Sequence, residues 1–254
     1  MSEAPAREPV ERERFYRRVV GELLERGVLT RDHALVVVGG GELDRSVLAS
    51  HGFLNVTLTN LDPGQGDVED AEALSYVDGS FDFGIVSAAL HHCRSPHRAL
   101  LELYRVSRAG VLALEARDST LMRLANRLGV AEEYELTVVA AEGFCTGGVA
   151  NSAVPNYVYR WTEREVEKTI RSAAPERQHR FLWFRELELP VSVLEQSGKS
   201  AWRFARWPLR ALVTVLPGQA NLFAFAVLKG GLQPWMRTPS EPDAEEIRRR
   251  LGAT

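Results

Sequence analysis

Apolar positions along the chain change period repeatedly, and the changes mark out alternating strands and helices. Leu35, Val36, Val37 and Val38 are consecutive, the composition of a strand buried on both faces. Ahead of them Phe15, Val19, Val20, Leu23 and Leu24 recur at helical spacing, and Gly27 predicts the end of that packing helix. Behind them Leu43, Val47 and Leu48 predict a second helix. Residues 55–63, NVTLTNLDP, predict a second strand that ends in polar residues and a proline. DGSFDFGIVSAAL, at 78–90, predicts a turn and a strand that buries Phe83, Ile85 and Val86. A helix over 96–106, a glycine turn at Gly110 and a strand over 111–116 close the first half.

The second half is less regular. RDSTLMRLANRLG predicts a helix starting near a cap at Ser119. WTEREVEKTI, at 161–170, predicts another, with Thr162 as N-cap and Glu165 as its capping-box partner. Strands follow at 180–190 and 221–230. Between them SAWRFARWPLRALVTVL, at 200–216, predicts a helix that Pro208 restarts. Its arginines and tryptophans suit a helix packed on the sheet better than one lying on a membrane. Residues 1–9 predict a frayed arm, and the tail from Gly231 a charged end.

Strand alternating with helix at this length predicts one α/β domain over 1–254. Its parts are a cofactor half at 10–118, a lid or acceptor segment at 119–180, two more strands at 181–230 and a tail at 231–254. The net charge of -3 argues against a partner bound through nucleic-acid phosphates. Cys93 and Cys145 form no disulfide framework, which fits a reducing compartment. The charged N-terminus carries no apolar leader, and no run of about 20 apolar residues occurs. A cytoplasmic protein without a transmembrane segment is expected.

The candidate chemistry begins at Gly39, Gly40 and Gly41, directly after the first strand. Strand, glycine turn and helix together bring backbone close to a nucleotide-like ligand. The turn lacks the lysine of a phosphate loop and the third glycine of a dinucleotide site. Glu42 and Asp44 place negative charge where a pyrophosphate would sit. Two carboxylates suit a cation or a neutral sugar, and S-adenosylmethionine offers a sulfonium, a ribose and no phosphate. In an open α/β sheet the ligand lies at the carboxyl ends of the strands. Asn60 and Asp62 are therefore the candidate ribose acceptors, and Ser87 ends the next strand at the same edge. Asp70 is the candidate partner of an adenine amino group, with the backbone amide of Ala71 or Glu72 facing the ring.

Five stretches together resemble the class I S-adenosylmethionine-dependent methyltransferases, in particular the small-molecule group related to quinone-biosynthesis methyltransferases. They are VVVGGG, EDAEAL, DGSFD, LHH and ALLELYRVSRAGVLALE, all within residues 34–118. The resemblance implies a Rossmann-like seven-stranded sheet, order 3-2-1-4-5-7-6, with strand 7 antiparallel and a segment inserted after strand 5. Beyond Ser119 it is architectural only. Three positions depart from the family pattern: Val37 replaces an acid, Leu43 or Asp44 a glycine, and Asn60 the acid ending strand 2, unless Asp62 takes that place.

The expected activity is methyl transfer to a small molecule, at a hydroxyl of a sugar or secondary metabolite. A methyltransferase-fold protein that binds without transferring is the second reading. A hydroxyl acceptor needs a base, and His91 and His92 stand just after the fourth strand. The nearby ligand types, Cys93 and His97, fit no metal spacing, so no metal is expected. In the glycine-rich and aromatic stretch 142–161, Asn156, Tyr157, Tyr159 and Arg160 are the candidate acceptor contacts. The partners expected are the small molecule and a second copy of the chain.

Overall fold

Seven strands form one sheet in the order β3-β2-β1-β4-β5-β7-β6. The structure, a computed structural model, describes residues 11–188 and 202–236. The strands are β1 Leu35–Val38, β2 Val56–Asn60, β3 Asp67–Val68, β4 Phe81–Ser87, β5 Ser107–Ala116, β6 Arg177–Glu186 and β7 Leu222–Leu232. The first five pair in parallel, whereas β7 runs antiparallel to both β5 and β6. The expected order and the reversed strand 7 are both present.

β1 sits in the middle, with Val37 opposite Leu58 of β2 and Ile85 of β4. All four of its residues are buried, and alternation sends them to opposite faces. Leu35 and Val37 join a core with Phe15, Val19 and Leu23 of α1 (Glu11–Glu25) and Leu48 of α2 (Glu42–Ser50). Val36 and Val38 join the other core, with Leu100 and Leu103 of α3 (Pro96–Val106) and Val166 and Ile170 of α6 (Glu163–Ala173). An apolar run with no alternation is thus what a strand covered on both faces requires. α4 (Thr120–Arg127) and α5 (Leu136–Ala141) lie in the segment between β5 and α6. α7 (Trp202–Val215) precedes β7 and contains Pro208.

The caps follow local chemistry. Gly27 adopts φ +63° just after α1, Ser119 Oγ accepts from Met122 N at 3.2 Å, and Thr162 Oγ1 accepts from Glu165 N at 3.2 Å. The Glu165 side chain does not complete a capping box; it turns to Tyr159 Oη and to His97 Nε2, the latter at 3.1 Å.

The expected turn at Gly110 is not there. β5 starts at Ser107 directly after α3, and Gly110 lies inside the ladder between Phe83 and Leu228. A Cβ at Gly110 would come within 2.5 Å of the Val227 carbonyl and 2.9 Å of the Phe83 ring. The glycine is there for close approach of strands rather than for a bend. β6 begins three residues before the expected 180, among Arg177, Gln178 and His179, where no apolar pattern announces it. The expected arm at 1–9, the end of strand 6 at 189–190, the start of the helix at 200–201 and the tail beyond 236 lie outside the described residues. Among the described residues no helix is long and apolar enough to cross a membrane.

Candidate active site

The carboxyl ends of β1, β2 and β4 open onto a cleft of about 250 Å³. Gly39 lines it at φ +62°, and Asn60, Asp70, Ala71 and His92 line it as well. A Cβ at Gly39 would stand 2.4 Å from the Cβ of Ala89, which follows the neighbouring strand β4 and lines the same cleft. Both the backbone conformation and the space therefore demand glycine. Glu69, Asp70 and Glu72 put three carboxylates along the cleft, and no Lys or Arg among the described residues lines it. That charge distribution fits a sulfonium cation with its ribose and excludes a pyrophosphate.

The other expected cofactor residues divide. Gly40 is packed against Leu58, where a Cβ would meet Cδ2 at 2.8 Å. Gly41 N donates to Asp44 Oδ2 at 3.0 Å, so Asp44 serves the start of α2. Asp44 is buried beside Tyr16; burial raises its carboxyl above the usual range, and the Tyr16 phenol is pushed up too, by burial first and the Asp44 charge second. Glu42 projects into solvent, 3.7 Å from Arg45. Asn60 Nδ2 donates to the Gly40 carbonyl at 2.9 Å, and its Oδ1 accepts from Asp62 N at 3.0 Å. The side chain at the end of β2 thus ties the glycine turn down while facing the cleft. Asp62 turns to Gly64 N at 2.9 Å and does not line the cleft. Asp70 Oδ1 accepts from Glu72 N at 2.9 Å, which leaves Oδ2 for a ligand. Ser87 lines the neighbouring cavity instead.

Between the two cavities stands a cluster assembled from three parts of the chain. A short 3-10 turn, Leu90–His92, follows β4 and carries both histidines. Glu115 of β5 accepts from Ala89 N at 3.1 Å and Leu90 N at 2.9 Å through Oε1. Its Oε2 lies 3.0 Å from His91 Nδ1. Glu135, just before α5, reaches His91 Nε2 at 3.4 Å and His92 Nε2 at 3.5 Å. Asn156, fully buried, places Nδ2 2.6 Å from His92 Nδ1, 3.1 Å from Glu135 Oε2 and 3.3 Å from the Gly147 carbonyl. Its Oδ1 is buried without a partner.

The two rings are electrostatically unequal. Burial alone would lower the pKa of His91, but the Glu115 carboxylate and then Glu135 raise it to about 9. Burial lowers that of His92, and the charge on His91 lowers it further. Glu135 is carried down to about 2: burial opposes this, and the hydrogen bond and charge of His91 overcome it. At neutral pH His91 is therefore an imidazolium between two carboxylates, and His92 is a neutral imidazole. His91, His92 and Glu135 also offer ligand atoms within 4.8 Å of one another, a set able to take a cation.

The neighbouring cavity, about 140 Å³, lies at the ends of β4, β5 and β7 under the start of α1. Ser87, His91, Glu115, Glu135 and Arg160 line it, with Arg12, Phe15 and Met122. Tyr157, Tyr159 and Arg160 line a more open groove of about 560 Å³ outside it. Tyr157 stacks edge-on with Tyr134 at 5.5 Å. Arg160 belongs to both spaces. The four expected acceptor residues are thus arranged as one buried amide among the histidines, Asn156, two tyrosines in the outer groove, and Arg160 between groove and cavity. Gly147, Gly148 and Asn151, from the glycine-rich stretch, fold over the cofactor cleft.

Glu115, Glu135, Glu69 and Ala88 are site residues beyond those the sequence singled out. Glu115 ends LALE at the carboxyl edge of β5, the same positional signal that found Asn60. Ala88, at φ +51°, carries strain with no glycine to announce it. Glu135 lies 43 positions after His92 in an aperiodic stretch, and no spacing links the two.

The sheet order, the reversed β7 and the glycine turn define the class I methyltransferase architecture. A methyltransferase-domain family matches residues 39–114, from that turn to Leu114 in β5. These residues therefore make a methyltransferase domain, and its cofactor is S-adenosylmethionine. No curated protein matches the sequence significantly. Solved structures share the fold at low identity. One is a chain of the Haloferax volcanii complex between the Trm112 methyltransferase activator and a methyltransferase: 15% identity, TM-score 0.51, covering 86% of this chain and 91% of that one. Another is the magnesium protoporphyrin IX methyltransferase of Synechocystis with bound S-adenosylhomocysteine: 12% identity, TM-score 0.49, coverage 86% and 83%. A third, from Thermotoga maritima, is described as a possible histamine N-methyltransferase: 14% identity, TM-score 0.46, coverage 87% and 92%.

Proposed function

We propose that the protein transfers a methyl group from S-adenosylmethionine to a hydroxyl of a small molecule held in the cavity beside the histidine cluster. The observation that carries this reading is the wall between cofactor cleft and neighbouring cavity. His92 lines the first and His91 the second, so an acceptor in that cavity meets the cofactor at the histidines. When bound, the cofactor supplies an electrophilic methyl on sulfur, and alignment of the two molecules is the main source of acceleration.

In this reading Gly39 admits the cofactor, Asp70 and the backbone of Ala71 hold its adenine, and Asn60 faces its ribose. His92, neutral at physiological pH, takes the proton of the acceptor hydroxyl. His92 Nδ1 accepts from Asn156 Nδ2 at 2.6 Å and its Nε2 lies 3.5 Å from Glu135 Oε2, so the acceptor hydroxyl replaces one of these partners when His92 takes its proton. His91, held charged by Glu115, anchors Glu135 and with it the segment that closes the site. Tyr157 and Tyr159 receive the remainder of the acceptor. A sugar or a secondary metabolite fits this mixture of aromatic faces and polar groups.

Calorimetric titration with S-adenosylmethionine and S-adenosylhomocysteine tests the cofactor part. Micromolar binding that Asp70→Ala weakens by about 1–3 kcal/mol is the expected result. Product formation from a panel of hydroxylated acceptors tests the remainder. Release of S-adenosylhomocysteine with amine but not hydroxyl acceptors would overturn the assignment to oxygen. Tight cofactor binding with no turnover on any acceptor would favour the non-catalytic reading.

A further inference from the structure

The charged groups lining the cavity beside the histidines are unequally paired. Its carboxylates are engaged: Glu115 with His91 and two backbone amides, Glu135 with both histidines and Asn156, and Glu188 with Arg12 at 3.7 Å. Arg160 is different. Its Nη2 donates to the Glu132 carbonyl at 2.8 Å and its Nη1 to the Val158 carbonyl at 3.3 Å. No carboxylate among the described residues pairs with it; Asp118, Glu133 and Glu135 act on it only at longer range.

Two backbone carbonyls fix the plane of this guanidinium and leave further N–H donors unused. The group is half-buried, and burial lowers its pKa, which records the cost of a cation taken from water without a counter-ion. Arg123, lining the outer groove, has Asp118 at 2.9 Å, and Arg127 there is exposed to water. Among the described arginines lining the two spaces, Arg160 is the one both partly desolvated and lacking a close acid, and it stands where cavity and groove meet.

We propose that Arg160 receives an anionic group of the acceptor, a carboxylate or a phosphate monoester, and so orients the acceptor's hydroxyl toward the histidine pair. The inference rests on the reading of this cavity as the acceptor site. A planar guanidinium with its orientation fixed matches two oxygens of either anion through parallel hydrogen bonds. A neutral sugar or alcohol would leave the charge uncompensated. Arg160 is thus a specificity residue that selects acidic acceptors over neutral ones of the same shape.

The test uses the full chain saturated with S-adenosylhomocysteine, whose own binding first checks the cofactor reading separately. Benzoate, phenyl phosphate and benzyl alcohol are then titrated at constant ionic strength, by calorimetry and by the NMR resonance of the Arg160 Nε–H. At least one anion should bind about ten-fold or more tightly than benzyl alcohol and shift that resonance. The stronger of the two identifies carboxylate or phosphate as the native group. Arg160→Gln should abolish the preference without changing affinity for S-adenosylhomocysteine, and Arg160→Lys should keep part of it. Equal binding of all three probes, absence of binding by both anions, or a preference that survives in Arg160→Gln would each overturn the proposal.

Discussion

His91 Nδ1 lies 3.0 Å from Glu115 Oε2, and through this contact the end of β5 holds the turn after β4. The same carboxylate accepts from Ala89 N and Leu90 N, so one side chain sets both the turn and the ring. Glu115→Gln keeps the shape but removes the charge, and it should cost roughly 1–3 kcal/mol of stability. Part of that cost is pH-dependent. The folded pKa of His91, about 9, lies above its unfolded value of 6.5, so its contribution is complete below pH 6.5 and is lost as pH rises through 9. Denaturant titrations at pH 6 and pH 10 should therefore show a wild-type loss that is smaller in Glu115→Gln. A mutant whose stability follows the wild-type pH dependence would show that Glu115 does not set the charge of His91.

Turnover should have a bell-shaped pH profile. The acidic limb belongs to His92, whose pKa is held below 6.5 by burial and by the charge on His91. In the proposed mechanism its neutral form is the base, so activity should rise as pH climbs through that value. The alkaline limb belongs to His91 near pH 9, where loss of its proton releases Glu135. His92→Ala should lower kcat by about 10²–10⁴-fold with little change in cofactor affinity, the usual range for a general base. His91→Ala should cost more in stability. Rates on a hydroxyl acceptor from pH 5 to pH 10 decide the matter; a flat profile, or near-wild-type kcat in His92→Ala, leaves proximity as the sole mechanism.

The first half of this fold was readable because its core elements carry local signals. Leu35 to Val38, the glycine turn and Phe83 to Val86 each show their burial in the sequence itself. Strand order came from resemblance, since pairing is set by contacts distant along the chain. Gly110 misled for a physical reason: a glycine demanded by a neighbouring backbone looks the same as one demanded by a turn. The two histidines stand side by side in the sequence, but the difference between them is not legible there. It arises from Glu115 and Glu135, carboxylates 24 and 44 positions after His91, and from unequal burial. Asp44 illustrates the converse. Its position suggested the mouth of the pocket, yet the helix start and Tyr16 occupy it.

Replacement of Gly39 should abolish cofactor binding. At φ +62° any side chain is strained, and a Cβ would also stand 2.4 Å from the Cβ of Ala89. The turn sits at a cleft rather than in the core, so Gly39→Val should retain its circular dichroism spectrum while losing S-adenosylhomocysteine binding by calorimetry. Gly129, also at positive φ but with open space around it, serves as the control. Its alanine variant should bind the cofactor normally. Unchanged affinity in a folded Gly39→Val protein would move the cofactor away from this turn.

The last prediction concerns how the glycine-rich segment is kept over the cleft. Asn156 is the fastener: its amide nitrogen reaches His92, Glu135 and the Gly147 carbonyl at once. The backbone it restrains is under strain, with Ala150 at φ +50° and Asn151 at φ +56°. Neither residue is glycine, so the conformation persists only while surrounding contacts enforce it. Asn156→Ala deletes those contacts and leaves Glu135 and the Gly147 carbonyl short of a donor. Amide hydrogen exchange should then accelerate across residues 144–152, while β1, β4 and β5 keep their protection. Binding of S-adenosylhomocysteine should slow exchange in the wild-type segment, because the cleft that Gly147 and Gly148 line would be filled. The ligand should restore less protection in Asn156→Ala. If the segment exchanges alike in both proteins, with and without ligand, Asn156 is not what holds it, and residues 142–156 are an ordinary surface loop rather than a lid.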